Sequence, residues 1–299
     1  MKKLIEIALV IFSAAVAGAE NSYQFVPIAV PGSVPYSTSP SAINNNEVIA
    51  GYYQDSTDMG WHGFTYNTKE ETWVYPIDDP NALPGSTYVT TINDSEVVGG
   101  FYLTGPTTSL GFTESSGVFS DWPVDCYSQL TGRLAGINNT GIGVGNCTVS
   151  FVSTETFSWV WTHNKFTVFT CPSNATNSGA TAINNHGEVV GWYDIGSSQS
   201  GYISSYSTCG TTVSYPGAVY TVLTGISDAG VAIGWVFPTN GIDFGFFYNI
   251  SSGLFSQIPS PTVAKNGLVT QGMNNGGWFV GYYLDKNYNI NGFFAKPRG

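Results

Sequence analysis

The chain has 299 residues, of which only 9 are Lys or Arg and 20 are Asp or Glu, giving a net charge of −11 with neutral histidines. So few cations, with only Lys2 and Lys3 adjacent, exclude a phosphate-binding surface and with it nucleic acid or an anionic membrane face as partners. Charged residues are 10 % of the chain while 36 residues are glycine, so neutral polar groups carry solubility and the composition suits short strands joined by exposed turns.

The first stretch carries Lys2 and Lys3, an apolar run from Ile7 to Ala17 and a small-residue end at Ala17-Gly18-Ala19. That is the pattern of a secretory signal peptide, and the run is too short to span a bilayer as a helix. Residues 1–19 are therefore expected to be removed. The mature chain, residues 20–299, is expected to be secreted or periplasmic, without a membrane span, and to fold as one domain.

Beyond it, one unit recurs at intervals of about 45 residues, the period of a propeller blade. Its copies are Ser39 to Tyr53, Val89 to Tyr102, Leu134 to Cys147, Ala180 to Tyr193, Leu223 to Val236 and Thr270 to Tyr283. Each begins with a short strand ending on an anchor: Ile43, Ile92, Ile137, Ile183, Ile226 or Met273. A turn of Asn, Asp, Ser and Gly follows, then a strand apolar on both faces. Asn and Gly tolerate the positive φ of tight hairpins. Aligning on the next small residue places Ala50, Gly99, Gly145, Gly191, Gly234 and Gly281 in one column. The first two copies then read as one residue shorter, with Asn46 and Ser95 where the fourth has Gly187.

A third strand is marked by Gly63-Phe64, Gly111-Phe112, Gly201-Tyr202, Gly245-Phe246 and Gly292-Phe293, and the third copy departs with Phe157-Ser158-Trp159. A fourth strand runs into Pro in most copies, which ends it for want of an amide donor. Small residues precede every anchor (Ala42, Thr91, Gly136, Ala182, Gly225, Gly272), as expected where inner strands converge on a channel. The predicted fold is an all-β, six-bladed propeller of four-stranded blades. The sixth copy stops after its third strand. Tyr23 to Ser33 reads as the missing fourth, since Val30-Pro31-Gly32-Ser33 matches Tyr215-Pro216-Gly217-Ala218, and closure this way removes exposed edges.

The pattern I-N-x-x-G-x-V-V-G-x-Y followed by H-G-F, nearest at Trp61-His62-Gly63-Phe64-Thr65-Tyr66, resembles the HAF-repeat family of extracellular repeat proteins. The resemblance covers essentially the whole mature chain and implies an exported propeller. It brings no catalytic residues.

Strand order puts the second-to-third loops and the connections between blades on one rim, which has the longer and more varied loops. Variable loops on a rigid scaffold are where binding usually resides. There lie Asp55, Asp58, Trp61 and His62, then Asp78 and Asp79, then Asp194, Asp243 and Asp285. Such carboxylates can accept sugar hydroxyls or bind calcium, although no cofactor is required. Asp is equally a turn former. Trp192, Trp235 and Tyr282 share a column that suits sugar stacking or, the stronger expectation, packing between blades. His62, His163 and His186 lack metal-ligand spacing. Cys126, Cys147 and Cys171 are assigned to the loop-rich rim and Cys209 to the other. At most one disulfide is expected, Cys147 with Cys126 or Cys171, and a bridge to Cys209 would break this assignment.

The favoured function is an exported, non-catalytic binding or surface-interaction module, with a glycan as ligand class and a cell-surface protein as the other partner, acting as a monomer. A carbohydrate-active hydrolase or lyase using acidic residues of the loop-rich rim is the alternative. A structural envelope protein is the third.

Overall fold

The computed structural model describes residues 22–122, 131–149, 155–163, 165–239 and 241–298. Strand β1 (Tyr23–Pro27) is followed by a sheet of β2 (Ser39–Ile43), β3 (Val48–Gln54), β4 (Trp61–Asn67) and β5 (Thr72–Ile77). A second contains β6 (Thr87–Ile92), β7 (Val98–Gly105), β8 (Thr108–Ser115) and β9 (Val118–Trp122), and a third β10 (Gly132–Ile137), β11 (Gly143–Val149), β12 (Glu155–Thr162) and β13 (Lys165–Phe169). An eight-stranded sheet follows. Its first half is β14 (Asn177–Ile183), β15 (Glu188–Ile195), β16 (Ser198–Ser205) and β17 (Thr208–Val213). Its second half is β18 (Ala218–Ile226), β19 (Val231–Pro238), β20 (Phe244–Asn249) and β21 (Leu254–Gln257). One parallel pair, Gln199 with Tyr220, joins the halves, and isolated parallel pairs likewise link Trp61 to Ser86 and Ser109 to Thr131. The last sheet has the order β1-β24-β23-β22, from β22 (Gly267–Met273), β23 (Phe279–Leu284) and β24 (Ile290–Pro297). Tyr23 faces Pro297 and Pro27 faces Phe293 in antiparallel register, so the N-terminal strand completes this sheet as expected. The described residues contain no helix, and the fold is an all-β propeller.

The second strand of each repeat is apolar on both faces because it is sandwiched between sheets. Ile49 and Tyr53 pack with Val280 and Phe294 of the last sheet, while Val48 and Ala50 pack with Val89, Tyr102 and Phe112 of the second. Phe64, Phe112, Trp159, Tyr202, Phe246 and Phe293 form one column of almost fully buried rings, each worth about 3–5 kcal/mol against alanine. The third copy keeps that column with Trp159. Its Ser158 replaces the usual glycine and bonds Ser178 Oγ at 3.0 Å and the Tyr202 hydroxyl at 2.9 Å. The small residues before the anchors answer to close approach of neighbouring inner strands. A Cβ on Gly136 would lie 2.9 Å from Ala182 Cα, and one on Gly272 2.9 Å from the Ser41 carbonyl oxygen.

The hairpin turns close a ring at one end of the channel. Backbone N–H groups of Asn45, Asp94, Asn139, Asn185, Asp228 and Asn275 each donate to Oδ1 of the next member, the last returning to Asn45, at 2.7–2.9 Å. The two carboxylates stand three places apart. Asp94 Oδ2 also accepts from the amides of Asn45 and Asn139, and Asp228 Oδ2 from those of Asn185 and Asn275. Behind this ring, Asn44, Asn93, Asn138, Asn184 and Asn274 are buried and reach the next repeat's backbone, as from Asn138 Nδ2 to Asn184 O at 3.1 Å.

Two expectations need correction. The strand registers align Gly51 and Gly100, not Ala50 and Gly99, with Gly145, Gly191, Gly234 and Gly281: in all six a Cβ would strike the carbonyl oxygen of the strand before. The turns are thus equal in length. Glu47 and Glu96, not Asn46 and Ser95, occupy the place of Gly187, with φ of 67° and 59° beside its 81°. Equal turn length outranked residue type there.

The cysteine pairing also differs. Cys171 is bonded to Cys209, with Cα atoms 5.4 Å apart, which excludes Cys147 with Cys171. Cys147 is itself disulfide-bonded, so a single bridge was too few, and the pairing with Cys126 lies outside the described residues. The cause is sheet twist of about 20–25° per strand, which over three steps turns the outermost strand of a sheet towards the circumference. Cys209, near the start of outer strand β17, thereby reaches the end of the neighbouring sheet's outer strand. Rim labels taken from inner strands fail at the outer edge. The bridge thus overturns the assignment of Cys209, which lies inside strand β17.

Candidate functional site

A bulge in each inner strand turns Ser41, Thr90, Ala135, Thr181, Thr224 and Gln271 towards a central cavity of about 260 Å³. Its wall combines small and hydroxyl side chains with the apolar anchors from Ile43 to Met273, and Tyr52 also lines it. Tyr52, Phe101, Trp192, Trp235 and Tyr282 are equivalent residues of the second strands, with Asn146 in the third copy. All are half-buried and belong to none of the core clusters. Trp192, Trp235 and Tyr282 are therefore not inter-blade core. They stand half-buried towards the loop-rich end of the second strand.

At the junction of the first three repeats this column is extended into a stack. Trp61, at the start of β4, lies over Tyr88 of β6 with centroids 6.0 Å apart and planes 29° apart. Tyr88 lies over Phe101 at 4.8 Å and 10°, and the Arg133 guanidinium covers Phe101 at 4.5 Å from its centroid. Tyr52 meets both Trp61 and Tyr88 edge-on. The groups come from three sheets, and the Trp61 N–H donating to Gly85 O at 2.9 Å fixes the first sheet to the second here.

Next to Trp61, His62 is buried, its ring between two carboxylates. Nδ1 faces Asp78 at 2.8 and 2.9 Å, and Nε2 faces Asp58 at 3.3 Å. Only the doubly protonated ring donates from both nitrogens. Burial opposes that charge, but the bonds to Asp78 and Asp58 outweigh it and raise the His62 pKa. The bonds of Asp58 to the Gly60 N–H and to His62 lower its own pKa. Tyr53 is pushed up to about 12 by burial and by Asp55 and Asp78.

The other expected ligands do not converge. Asp55 accepts from the Thr57 N–H and hydroxyl, and Asp285 from the N–H groups of Asn287 and Asn289. Those bonds hold both carboxyls below the usual range and make them turn formers. Asp194 binds Gln199 and Asn177 within its own repeat. Asp243 is pushed up by burial. Asp79 is buried beside Asn81, its Oδ2 unpartnered, and burial raises its pKa. Among the described residues no group of three or more His, Cys, Asp or Glu side chains is arranged to hold a metal ion. Asp55, Asp58, Trp61, His62 and Asp78 gather at one place, while Asp194, Asp243 and Asp285 stand apart. Tyr52, Tyr88, Phe101 and Arg133 went unnoticed in the sequence. The available signal was Arg133 itself, one of two arginines in the chain.

The fold is that of the β-propellers, several of them lectins. No family model matches this chain, and no curated protein is similar to it in sequence. Among solved structures it is similar to AofleA from Arthrobotrys oligospora, at 12 % identity over 93 % of this chain and 87 % of that one, with a TM-score of 0.57. It is similar to the Aleuria aurantia lectin, a six-bladed propeller that recognises fucose, at 12 % identity over 88 % and 93 %, TM-score 0.52. TolB from Acinetobacter baumannii also matches, at 11 % identity and TM-score 0.55, over 84 % of this chain and 63 % of TolB. At these identities the likeness is one of fold. Among the described residues no helix is long and apolar enough to cross a membrane.

Proposed function

We propose that this protein is an exported, non-catalytic, glycan-binding propeller. The carrying observation is the half-buried stack of Trp61, Tyr88 and Phe101, with Tyr52 at its edge, beside the mouth of the channel. Half-buried stacked rings offer apolar edges, and Trp61 at the end of the stack a ring face, against which sugar C–H groups pack while the aromatic body stays anchored. Propeller lectins among the fold neighbours support the reading, and so does the repeat pattern resembling the HAF family. The count of six blades rests on dividing the eight-stranded sheet at its one parallel pair, which leaves every repeat with a sheet of its own. Export rests on the signal-peptide pattern of residues 1–19, outside the described residues.

Binding by this surface is expected without calcium, because Tyr52, Trp61, Tyr88, Phe101 and Arg133 include no carboxylate. The test is a glycan array probed with purified residues 20–299, with calcium and with chelator, beside a Trp61→Ala variant. Specific binding that survives chelation and falls at least about tenfold in the variant, a loss of about 1.4 kcal/mol, is the expected result. Absence of binding under both conditions overturns the reading and leaves a protein-binding or structural role.

A further inference from the structure

We infer that the cleft beside Arg133 selects a sugar bearing a carboxylate, which the guanidinium pairs while the sugar ring lies on the neighbouring aromatic surface. The inference rests on the glycan-binding reading above and names the class of sugar.

The geometry of one cation carries it. Arg133 starts the inner strand β10, where the other repeats place Ser39, Tyr88, Gly179, Val222 and Val269. Its guanidinium carbon lies over the Phe101 ring, 4.5 Å from the centroid. A guanidinium carries its N–H donors in its own plane, in the fork that fits a carboxylate with two parallel bonds, and the contact with Phe101 uses none of them. Those donors have no partner among the described residues: the ion pairs there are His62 with Asp58 and Asp78, and Lys69 with Glu47. In a chain of 20 acidic and 9 basic residues, an arginine left unpaired within an aromatic cleft runs against the average. Partial burial lowers the Arg133 pKa, with Tyr88 and Tyr52 opposing the shift, so the cation has lost some of its water without gaining an anion. A carboxylate supplied by a ligand restores that balance, and a neutral sugar does not.

The aromatic layers set where the rest of the ligand lies. Phe101, Tyr88 and Trp61 continue from the guanidinium across the first three repeats. A saccharide anchored at Arg133 therefore runs along the ring edges towards Trp61, beside the channel mouth that Tyr52 lines.

The test compares wild type, Arg133→Gln, Arg133→Lys and Phe101→Leu on an array of uronate- and sialate-bearing glycans, each printed beside its methyl ester. The ester keeps the ring and removes only the charge. Wild type is expected to bind at least one acid about tenfold or more above its ester, the scale of one charge-assisted hydrogen bond. Arg133→Gln abolishes that preference, Arg133→Lys keeps part of it, and Phe101→Leu, which retains the charge but removes its stacking surface, weakens it. Thermal melts matching wild type show that each variant is folded. Equal binding of acids and esters, or an acid preference that survives Arg133→Gln, overturns the inference and leaves the glycan reading in place. Absence of binding to every glycan overturns both.

Discussion

The two ends of the channel are built on opposite rules. At the hairpin-turn end the same polar residues return in every repeat and satisfy one another: the ring from Asn45 to Asn275 closes with each member donating to the next, and buried asparagines behind it tie each repeat to its neighbour. At the loop-rich end, equivalent positions hold different residues, aromatic rings remain half-buried, and one guanidinium has no anion among the described residues. Repetition with saturated hydrogen bonds is what a scaffold needs. Irregularity with unsatisfied groups is what a binding site needs, because a ligand must supply what is missing.

Substitutions should therefore separate the two ends. The largest effect belongs to Asn138→Ala at the turn end. It removes buried acceptor bonds to the Thr140 and Ile142 N–H groups and the donor bond to Asn184, and urea unfolding should show a loss of about 2–4 kcal/mol. Arg133→Gln should change stability by less than about 1 kcal/mol, because only the contact with Phe101 is lost. If the arginine variant proved the less stable, the division between scaffold and site would fail.

Next comes His62, which lies at the loop-rich end yet is saturated. Its folded pKa is raised above the unfolded value of about 6.5. The stability it contributes is fully present below about pH 6.5 and is lost as pH rises through the folded value. The melting temperature of wild type should fall relative to His62→Gln across that window, and parallel curves would show that the carboxylate bridge adds nothing.

The smallest effects are gains. Glu47 and Glu96 adopt a left-handed backbone where the other four turns have glycine. Relief of about 1–2 kcal/mol of backbone strain, offset by the extra freedom of glycine in the unfolded chain, should leave Glu47→Gly and Glu96→Gly each stabilised by about 0.5–1 kcal/mol in urea titrations. A destabilised Glu47→Gly would mean that its exposed contact with Lys69 matters more than the turn.

The contrast also explains what could be read in advance. The period, the small residues before the anchors and the closing N-terminal strand were all legible, because each is a local pattern repeated along the chain. Even there, Asn46 and Ser95 were matched to Gly187 by residue type, and only the strand register placed Glu47 and Glu96 correctly. The aromatic stack was not legible as a site. Trp61, Tyr88, Phe101 and Arg133 come from three strand positions in three repeats, Tyr88 and Arg133 sharing one, so no single column of an alignment brings them together. The Cys171–Cys209 bridge escaped for a related reason: it joins outer strands whose direction depends on twist accumulated across a sheet.

The pairing of β1 with β24 has a mechanical consequence. Ser22 and Arg298 meet at the same end of this antiparallel pair, joined by the Arg298 N–H donating to Ser22 O at 2.8 Å. Tension applied at these two residues pulls along the hydrogen bonds, perpendicular to the strands, and loads one bond at a time. The closed ring then opens as a zipper does, from Tyr23 opposite Pro297 towards Pro27 opposite Phe293, at far lower force than a seam loaded in shear would bear.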